Sequence, residues 1–241
     1  MANLAQLRML EDLNGFLLVD KPAGISFSTV VKTVKRKFNL VKVGHGGSLD
    51  TAATGLLVLL INDANKFTGD VMGADRAFTG TMRLGEKTDT YDIHGRKLSV
   101  NAVESAHLEK INDPQFLRNF KGDVFQTESR FCSVRREGSA EYEVVDTGDH
   151  PQFMSHVYRL VFAAGELPRV NFEITGTKSL LVKTLVNDIG DELGCGAVLE
   201  SLRRIKVGKF DVADAMAFDK LLETEMKDFA LCVKPLSAML R

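Results

Sequence analysis

Hydrophobic positions in this chain fall into short runs and regular spacings that predict its elements. Gly15-Phe16-Leu17-Leu18-Val19-Asp20 is a continuous apolar run closed by Lys21-Pro22, which predicts a buried strand followed by a turn. Ser26 or Ser28 can then cap a helix. Val30, Val31, Val34 and Phe38 fall within an arc of roughly 100° at helical pitch, with Lys32, Lys35 and Arg36 on the opposite side. Residues 55–62 predict a second buried strand. Phe78, Gly80, Met82 and Leu84 alternate with Ala77, Thr79, Thr81 and Arg83, the period of a half-buried strand. Val157–Phe162 and Val170–Ile174 predict further strands. Residues 121–148 are polar, with Gly122, Gly138 and Gly148, and predict a long loop or flap. Leu181, Val182, Leu185, Val186, Ile189 and Leu193 recur at helical spacing, with Gly194 placed to end the helix. Residues 211–228, with six acids against two lysines, predict a polar helix. Strands and helices mix without a regular βαβ alternation, so the expected fold class is α+β.

Composition narrows the class. The 241 residues are 44% hydrophobic and 26% charged, which excludes a disordered chain, a collagen-like repeat and a disulfide-dense mini-protein. No repeat, low-complexity stretch or linker interrupts the chain, and residues 1–241 read as one domain. The net charge of −1 gives no bulk attraction for a polyanion, so such a partner must be held by a local patch. One candidate is clear: Lys21, Lys32, Lys35, Arg36, Lys37 and Lys42 lie in a stretch, 21–49, that holds no Asp or Glu. That bias points to a phosphate-binding surface. Arg130, Arg135 and Arg136, and later Arg203, Arg204, Lys206 and Lys209, can extend it. Cys132, Cys195 and Cys232 form no C-x-x-C pair, which suits a reducing compartment. No apolar run approaches about 18 residues, so no membrane association is expected. The first residues carry charges where a signal peptide needs an apolar core, so the expected location is the cytoplasm.

The candidate chemistry gathers in Gly44-His45-Gly46-Gly47-Ser48-Leu49-Asp50-Thr51-Ala52-Ala53-Thr54-Gly55. Four glycines in twelve residues let the backbone approach a ligand and adopt positive φ, and the frame carries a histidine and a carboxylate. Its spacing matches neither the nucleotide-phosphate motifs nor G-x-S-x-G, and the five histidines show no metal-ligand spacing. From spacing alone, a functional loop and a glycine-rich connection both remain open.

Taken in order, the motifs resemble the TruB family of pseudouridine synthases over roughly residues 15–240. The match opens with Asp20-Lys21-Pro22-Ala23-Gly24-Ile25-Ser26 and the Gly44–Gly55 loop. It continues with Arg83-Leu84-Gly85-Glu86-Lys87-Thr88-Asp89-Thr90-Tyr91-Asp92, then Phe120-Lys121-Gly122 with Gln126. Leu193-Gly194-Cys195-Gly196-Ala197, Leu202-Arg203-Arg204 and Lys234-Pro235-Leu236 complete it. The resemblance implies the pseudouridine-synthase fold, a central mixed, mainly antiparallel sheet flanked by helices and loops. It implies isomerisation of a T-loop uridine, position 55 of tRNA, without cofactor or metal. The partner would be the tRNA T-arm; no protein partner is indicated. Asp50 matches the catalytic aspartate, which must be ionised to attack the substrate or take a proton from its sugar. Lys183 stands where an arginine normally pairs with that aspartate. His45 matches the residue that packs on the RNA when the target nucleotide leaves its stack. Residues 121–148 resemble the flap that closes over the T-arm. Lys21, Phe78, Leu181, Tyr142 and Arg203 complete the expected substrate contacts.

The chain also departs from the family pattern. Phe78 lacks the hydroxyl of the usual tyrosine, and Leu181 loses another. Lys183 keeps a charge but not the two-pronged geometry of arginine. The flap's usual P-P-x-Y-S-A-L-K is Glu128-Ser129-Arg130-Phe131-Cys132-Ser133-Val134-Arg135, and its Y-E-x-A-R-x-G is Tyr142-Glu143-Val144-Val145-Asp146-Thr147-Gly148. Thr51 stands at a usual proline, and the carboxyl-terminal PUA domain of the family is not expected after Pro235. A catalytically impaired TruB-like protein that binds or folds RNA is the alternative reading.

Overall fold

Phe16, Leu17, Leu18 and Val19 are all within 2% of complete burial, so the first apolar run is covered on both faces. The computed structural model describes residues 13–135, 141–163 and 166–239. The amino-terminal segment read for export signals, Arg136 and Gly138 lie outside the described residues. The chain forms two compact units, residues 1–74 with 204–241, and residues 75–203.

In chain order, the first unit begins with β1 (Gly15–Lys21), α1 (Phe27–Lys37), β2 (Val43–His45), β3 (Thr54–Ile61) and α2 (Thr68–Gly73). The second unit holds β4 (Arg76–Leu84), β5 (Glu86–Thr88), β6 (Lys97–Val100), α3 (Ser105–Ile111) and α4 (Pro114–Arg118). It continues with β7 (Gly122–Gln126), β8 (Phe131–Arg135), β9 (Tyr142–Asp146), β10 (Phe153–Ala163), β11 (Arg169–Gly176) and α5 (Val182–Leu193). The chain re-enters the first unit at Arg204, inside β12 (Ala197–Val207). β13 (Phe210–Asp211), β14 (Met216–Ala217), α6 (Phe218–Glu223) and β15 (Val233–Pro235) follow.

In the first unit β1 runs antiparallel to β3 over its whole length, Gly15 opposite Ile61 and Lys21 opposite Gly55. β15 pairs antiparallel with the start of β1 and β14 parallel with its end. Strict alternation then sorts the apolar side chains. Leu17, Val19, Leu57, Leu59 and Ile61 meet Val30, Val34 and Phe38 of the α1 segment on one face. Phe16, Leu18, Leu56, Val58 and Leu60 meet Ala64, Val71 and Phe210 on the other. Two-sided burial is why these strands read as unbroken apolar runs. Ser26 caps α1 by accepting the Thr29 amide at 3.1 Å.

The second unit is built on the antiparallel ladder β4–β11–β10–β7. Its core joins Phe78, Met82, Val157, Leu160, Val170 and Ile174 to Leu185, Val186 and Ile189 of α5. Gly194 ends α5 at φ 91°, a conformation that favours glycine. The β1–β14 pair is parallel, and the other pairs given above are antiparallel, in line with the expected mixed, mainly antiparallel arrangement.

Two segments differ from their sequence pattern. Residues 211–228 are not one helix. The Asp211 carboxylate accepts the Ala213 amide at 2.9 Å, and Val19 and Asp20 pair with Met216 and Ala217, so only Phe218–Glu223 is α-helical. The described part of residues 121–148, expected as a long loop or flap, holds three strands. Gly122–Gln126 form β7 against β10, and β8 and β9 make a separate hairpin with Phe131 opposite Asp146. The alternation Val124, Gln126 inward and Asp123, Phe125 outward is the strand signal hidden by polar composition.

Candidate active site

The Gly44–Gly55 loop bridges β2 and β3, and its geometry starts from backbone bonds. The Gly46 amide donates to Val58 O at 2.8 Å and the Ala53 amide to Asp50 O at 3.1 Å. Gly47 and Gly55 hold φ of 123° and 102°, in the range that favours glycine. A Cβ on Gly55 would run into the backbone of Arg204. Asp50 is exposed on this frame, and Leu49 beside it is buried.

Two buried cations pin the loop by its carbonyls. Arg204, 2% exposed, donates Nε to Leu56 O at 2.8 Å, Nη1 to Ser48 O at 2.7 Å and Nη2 to Gly47 O at 3.3 Å. Lys21, fully buried, donates Nζ to Pro22 O at 2.8 Å, Ile25 O at 2.9 Å and Thr51 O at 3.3 Å. Burial pushes the Lys21 ammonium down to about 8; the Asp50 charge opposes that and the Arg204 charge adds to it. At neutral pH the ammonium is therefore still charged, and Asp50 sits within its field. The loop thus has carbonyls of residues 47, 48 and 51 fixed on either side of the carboxylate-bearing residue.

His45 lies in β2 with its ring tilted on Phe27 at 4.8 Å, and its Nδ1 accepts the Gly47 amide at 3.2 Å. Burial pushes its pKa down, so the ring is neutral at pH 7. In the first unit the structure therefore brings together Asp50, Lys21 and His45. Arg204 joins them, although the sequence singled out its neighbour Arg203 as the substrate contact. Neighbouring strand residues face opposite sides, and pattern alone does not say which arginine of the pair turns inward.

The remaining candidates belong to the second unit. Phe78 is 7% exposed within the core. Leu181 caps α5, and both its backbone groups bond the Gln126 side chain, at 2.9 and 3.0 Å. Arg203 is half-buried in β12. Tyr142 stacks on His94 with centroids 3.8 Å apart and planes at 17°. Lys183 Nζ donates to Asp92 Oδ2 at 3.0 Å. The Asp92 carboxylate also accepts Ser133 Oγ at 2.7 and 2.9 Å, Thr90 Oγ1 at 3.0 Å and the His94 amide at 3.0 Å. Burial pushes Asp92 up, but the Lys183 charge and the hydrogen bonds from Ser133, Lys183 and the His94 amide outweigh it and hold the carboxyl below its ordinary value. Asp92 and Ser133 were not singled out by sequence pattern, because their partners lie far along the chain.

A lowered folded-state value means that the Asp92 contribution to stability is complete above the ordinary carboxylate pKa and fades as pH falls through the lowered one. Urea unfolding of Asp92→Asn should therefore show a deficit of about 2 kcal/mol, constant above roughly pH 5 and shrinking below about pH 4. A deficit independent of pH would show that the lost term is not the charge.

The strand arrangement is that of a pseudouridine synthase. The chain aligns over 95% of its length with a chain of the Cbf5–Nop10–Gar1 complex, at TM-score 0.68 and 21% identity, covering 62% of that chain. At that identity the likeness shows the fold. The chain belongs to the TruB family: residues 35–182 match the TruB family pseudouridylate synthase amino-terminal domain, and residues 183–241 the tRNA pseudouridylate synthase B carboxyl-terminal domain. It is 35% identical over 204 residues to the tRNA pseudouridine synthase B of Sodalis glossinidius (strain morsitans), covering 83% of this chain and 65% of that one. Against the Burkholderia lata tRNA pseudouridine synthase B it is 34% identical over 231 residues, covering 95% and 71%. The chain thus spans about two thirds of the length of these relatives.

Proposed function

We propose that this protein is a tRNA pseudouridine synthase that isomerises a T-loop uridine, with Asp50 as the catalytic carboxylate. The observation that carries the reading is the Asp50 loop, fixed through its carbonyls by two buried cations, with Asp50 itself at an exposed position between those anchored carbonyls. The N1–C1′ bond of uridine breaks, the base turns, and a C5–C1′ bond forms; C5 loses a proton and N1 gains one, so the product is an isomer. Asp50 acts at the ribose as nucleophile or base, and either role needs the ionised form. The bond is inaccessible in a stacked loop, so the nucleotide must be extruded, and the neutral His45 ring offers a face against which the vacated stack can rest. Lys183 supplies positive charge in place of arginine, and Phe78 offers a ring without a hydroxyl. Lys21, Leu181, Tyr142 and Arg203 are assigned to substrate contact and support, in a single TruB-like catalytic domain. The reaction needs no cofactor, and the T-arm is the partner.

The α1 region supports RNA as the substrate. Lys32, Lys35, Arg36 and Lys42 are exposed, and none forms an ion pair among the described residues. Several cations elsewhere are matched, among them Lys66 with Asp63, Arg83 and Arg169 with Glu200, and Lys234 with Asp214. Helix polarity favours cations at the end of α1, but it does not explain Lys32 or Lys42. Replacing Lys32, Lys35, Arg36 and Lys42 by Gln should flatten the dependence of log affinity on log salt by about 2 to 4, roughly one for each phosphate no longer neutralised. An unchanged slope in filter binding would remove α1 from the interface.

Carbodiimide mapping of an unmodified tRNA transcript tests the function. The proposal expects one new reverse-transcription stop, in the T-loop, after incubation with the protein. A stop elsewhere would move the site; tight binding with no stop would favour the RNA-folding reading, to which Lys183 and Phe78 give their support.

A further inference from the structure

The β8–β9 hairpin makes specific contacts with the segment 89–94 inside the second unit. Ser129 Oγ donates to Asp89 O, Tyr142 stacks on His94, and Ser133 Oγ lies within 2.9 Å of both oxygens of Asp92. Asp92 is 6% exposed and carries the ion pair with Lys183. An ammonium is a point charge on a flexible stem, and Lys183 donates to Asp92 through Oδ2 at 3.0 Å. Such a contact fixes a distance but not the rotation of the carboxylate plane. Thr90 and the His94 amide hold Oδ1. Ser133, donating between the two oxygens, comes from the hairpin and supplies the constraint that a second guanidinium prong would otherwise give.

We propose that Ser133 is a positioning residue: its hydroxyl locks the orientation of Asp92, and through it the Lys183 ammonium, so that hairpin docking sets the place of that charge. The consequence for turnover rests on the isomerase reading above; the link itself does not. Ser133 touches no reacting atom and acts through Asp92. Hydrogen bonds to a charged group make the expected effect on kcat of Ser133→Ala a loss of about tenfold, with KM for the RNA within about twofold. Ser133→Thr keeps a hydroxyl and should restore kcat to within about twofold of the starting protein. A guanidinium can grip both carboxylate oxygens, so in a Lys183→Arg background Ser133→Ala should cost less than about twofold.

Two readouts test this together: single-turnover kinetics of the four proteins in the Ser133/Lys183 cycle, and carbon-13 NMR titration of the Asp92 carboxyl. Loss of the Ser133 donor should move that titration upward, with Lys183 and His94 the ionisable neighbours whose charge couples to it. A Ser133→Ala loss that is the same with and without Lys183→Arg, or an unmoved titration, would overturn the proposal. If the titration moves but the starting protein makes no pseudouridine, the Ser133–Asp92 link stands and the isomerase reading falls.

Discussion

Asp50→Asn is expected to lower the rate of pseudouridine formation by at least about a thousandfold while leaving RNA affinity within about twofold. The amide keeps the volume and one acceptor but loses the charge, and neither covalent attack nor proton abstraction is available to it. The loop should survive the change, because its backbone groups keep their partners: Gly46 to Val58, Ala53 to Asp50, and the carbonyls taken by Lys21 and Arg204. Rapid mixing of enzyme and T-arm RNA under single-turnover conditions, alongside filter binding, separates the two quantities. Loss of affinity equal to loss of rate would mean that Asp50 serves binding rather than chemistry.

Arg204→Met carries the second large effect. It removes the buried guanidinium and leaves Leu56 O, Ser48 O and Gly47 O without those donors. Removing one member of a buried charged network costs about 3–5 kcal/mol, which for a chain of this size lowers Tm by roughly 10 °C. Activity should fall further than stability alone predicts, since two of those carbonyls lie within three residues of Asp50. Arg204→Lys should recover only part of either loss, because a single nitrogen cannot occupy the three positions from which Nε, Nη1 and Nη2 donate. Calorimetry together with activity measured well below the lowered Tm checks both points. A variant with unchanged Tm would mean that the loop is held by its own turns.

What the sequence made visible follows from the range of the interactions involved. The strands β1 and β3 were legible because Phe16–Val19 and Leu56–Ile61 are buried on both faces, and such burial leaves an unbroken apolar run. The α1 segment was legible because Val30, Val34 and Phe38 all face one cluster and Ser26 caps it locally. The Asp50 loop stood out through its glycines, two of which take positive φ. Residues 211–228 misled because a polar stretch rich in acids has helical composition, whereas the Met216 and Ala217 pairing with β1 decides the outcome and is not local. The same reason hid β7, whose partner Phe153 lies beyond the hairpin. Lys183, which the resemblance matches to the arginine that pairs with the family's catalytic aspartate, forms an ion pair with Asp92 across 91 positions. Ser133 and Asp92 meet across 41. No spacing rule reaches that far, and only the folded chain brings such donors to one carboxylate.

Tritium release from a T-arm transcript labelled at uridine C5 is the most direct measurement, because the C5 hydrogen must leave when C5 bonds to the sugar. The account predicts release that follows enzyme concentration, reaches one tritium per RNA and disappears in Asp50→Asn. Stable retention of the label by an RNA that the protein binds tightly would contradict it.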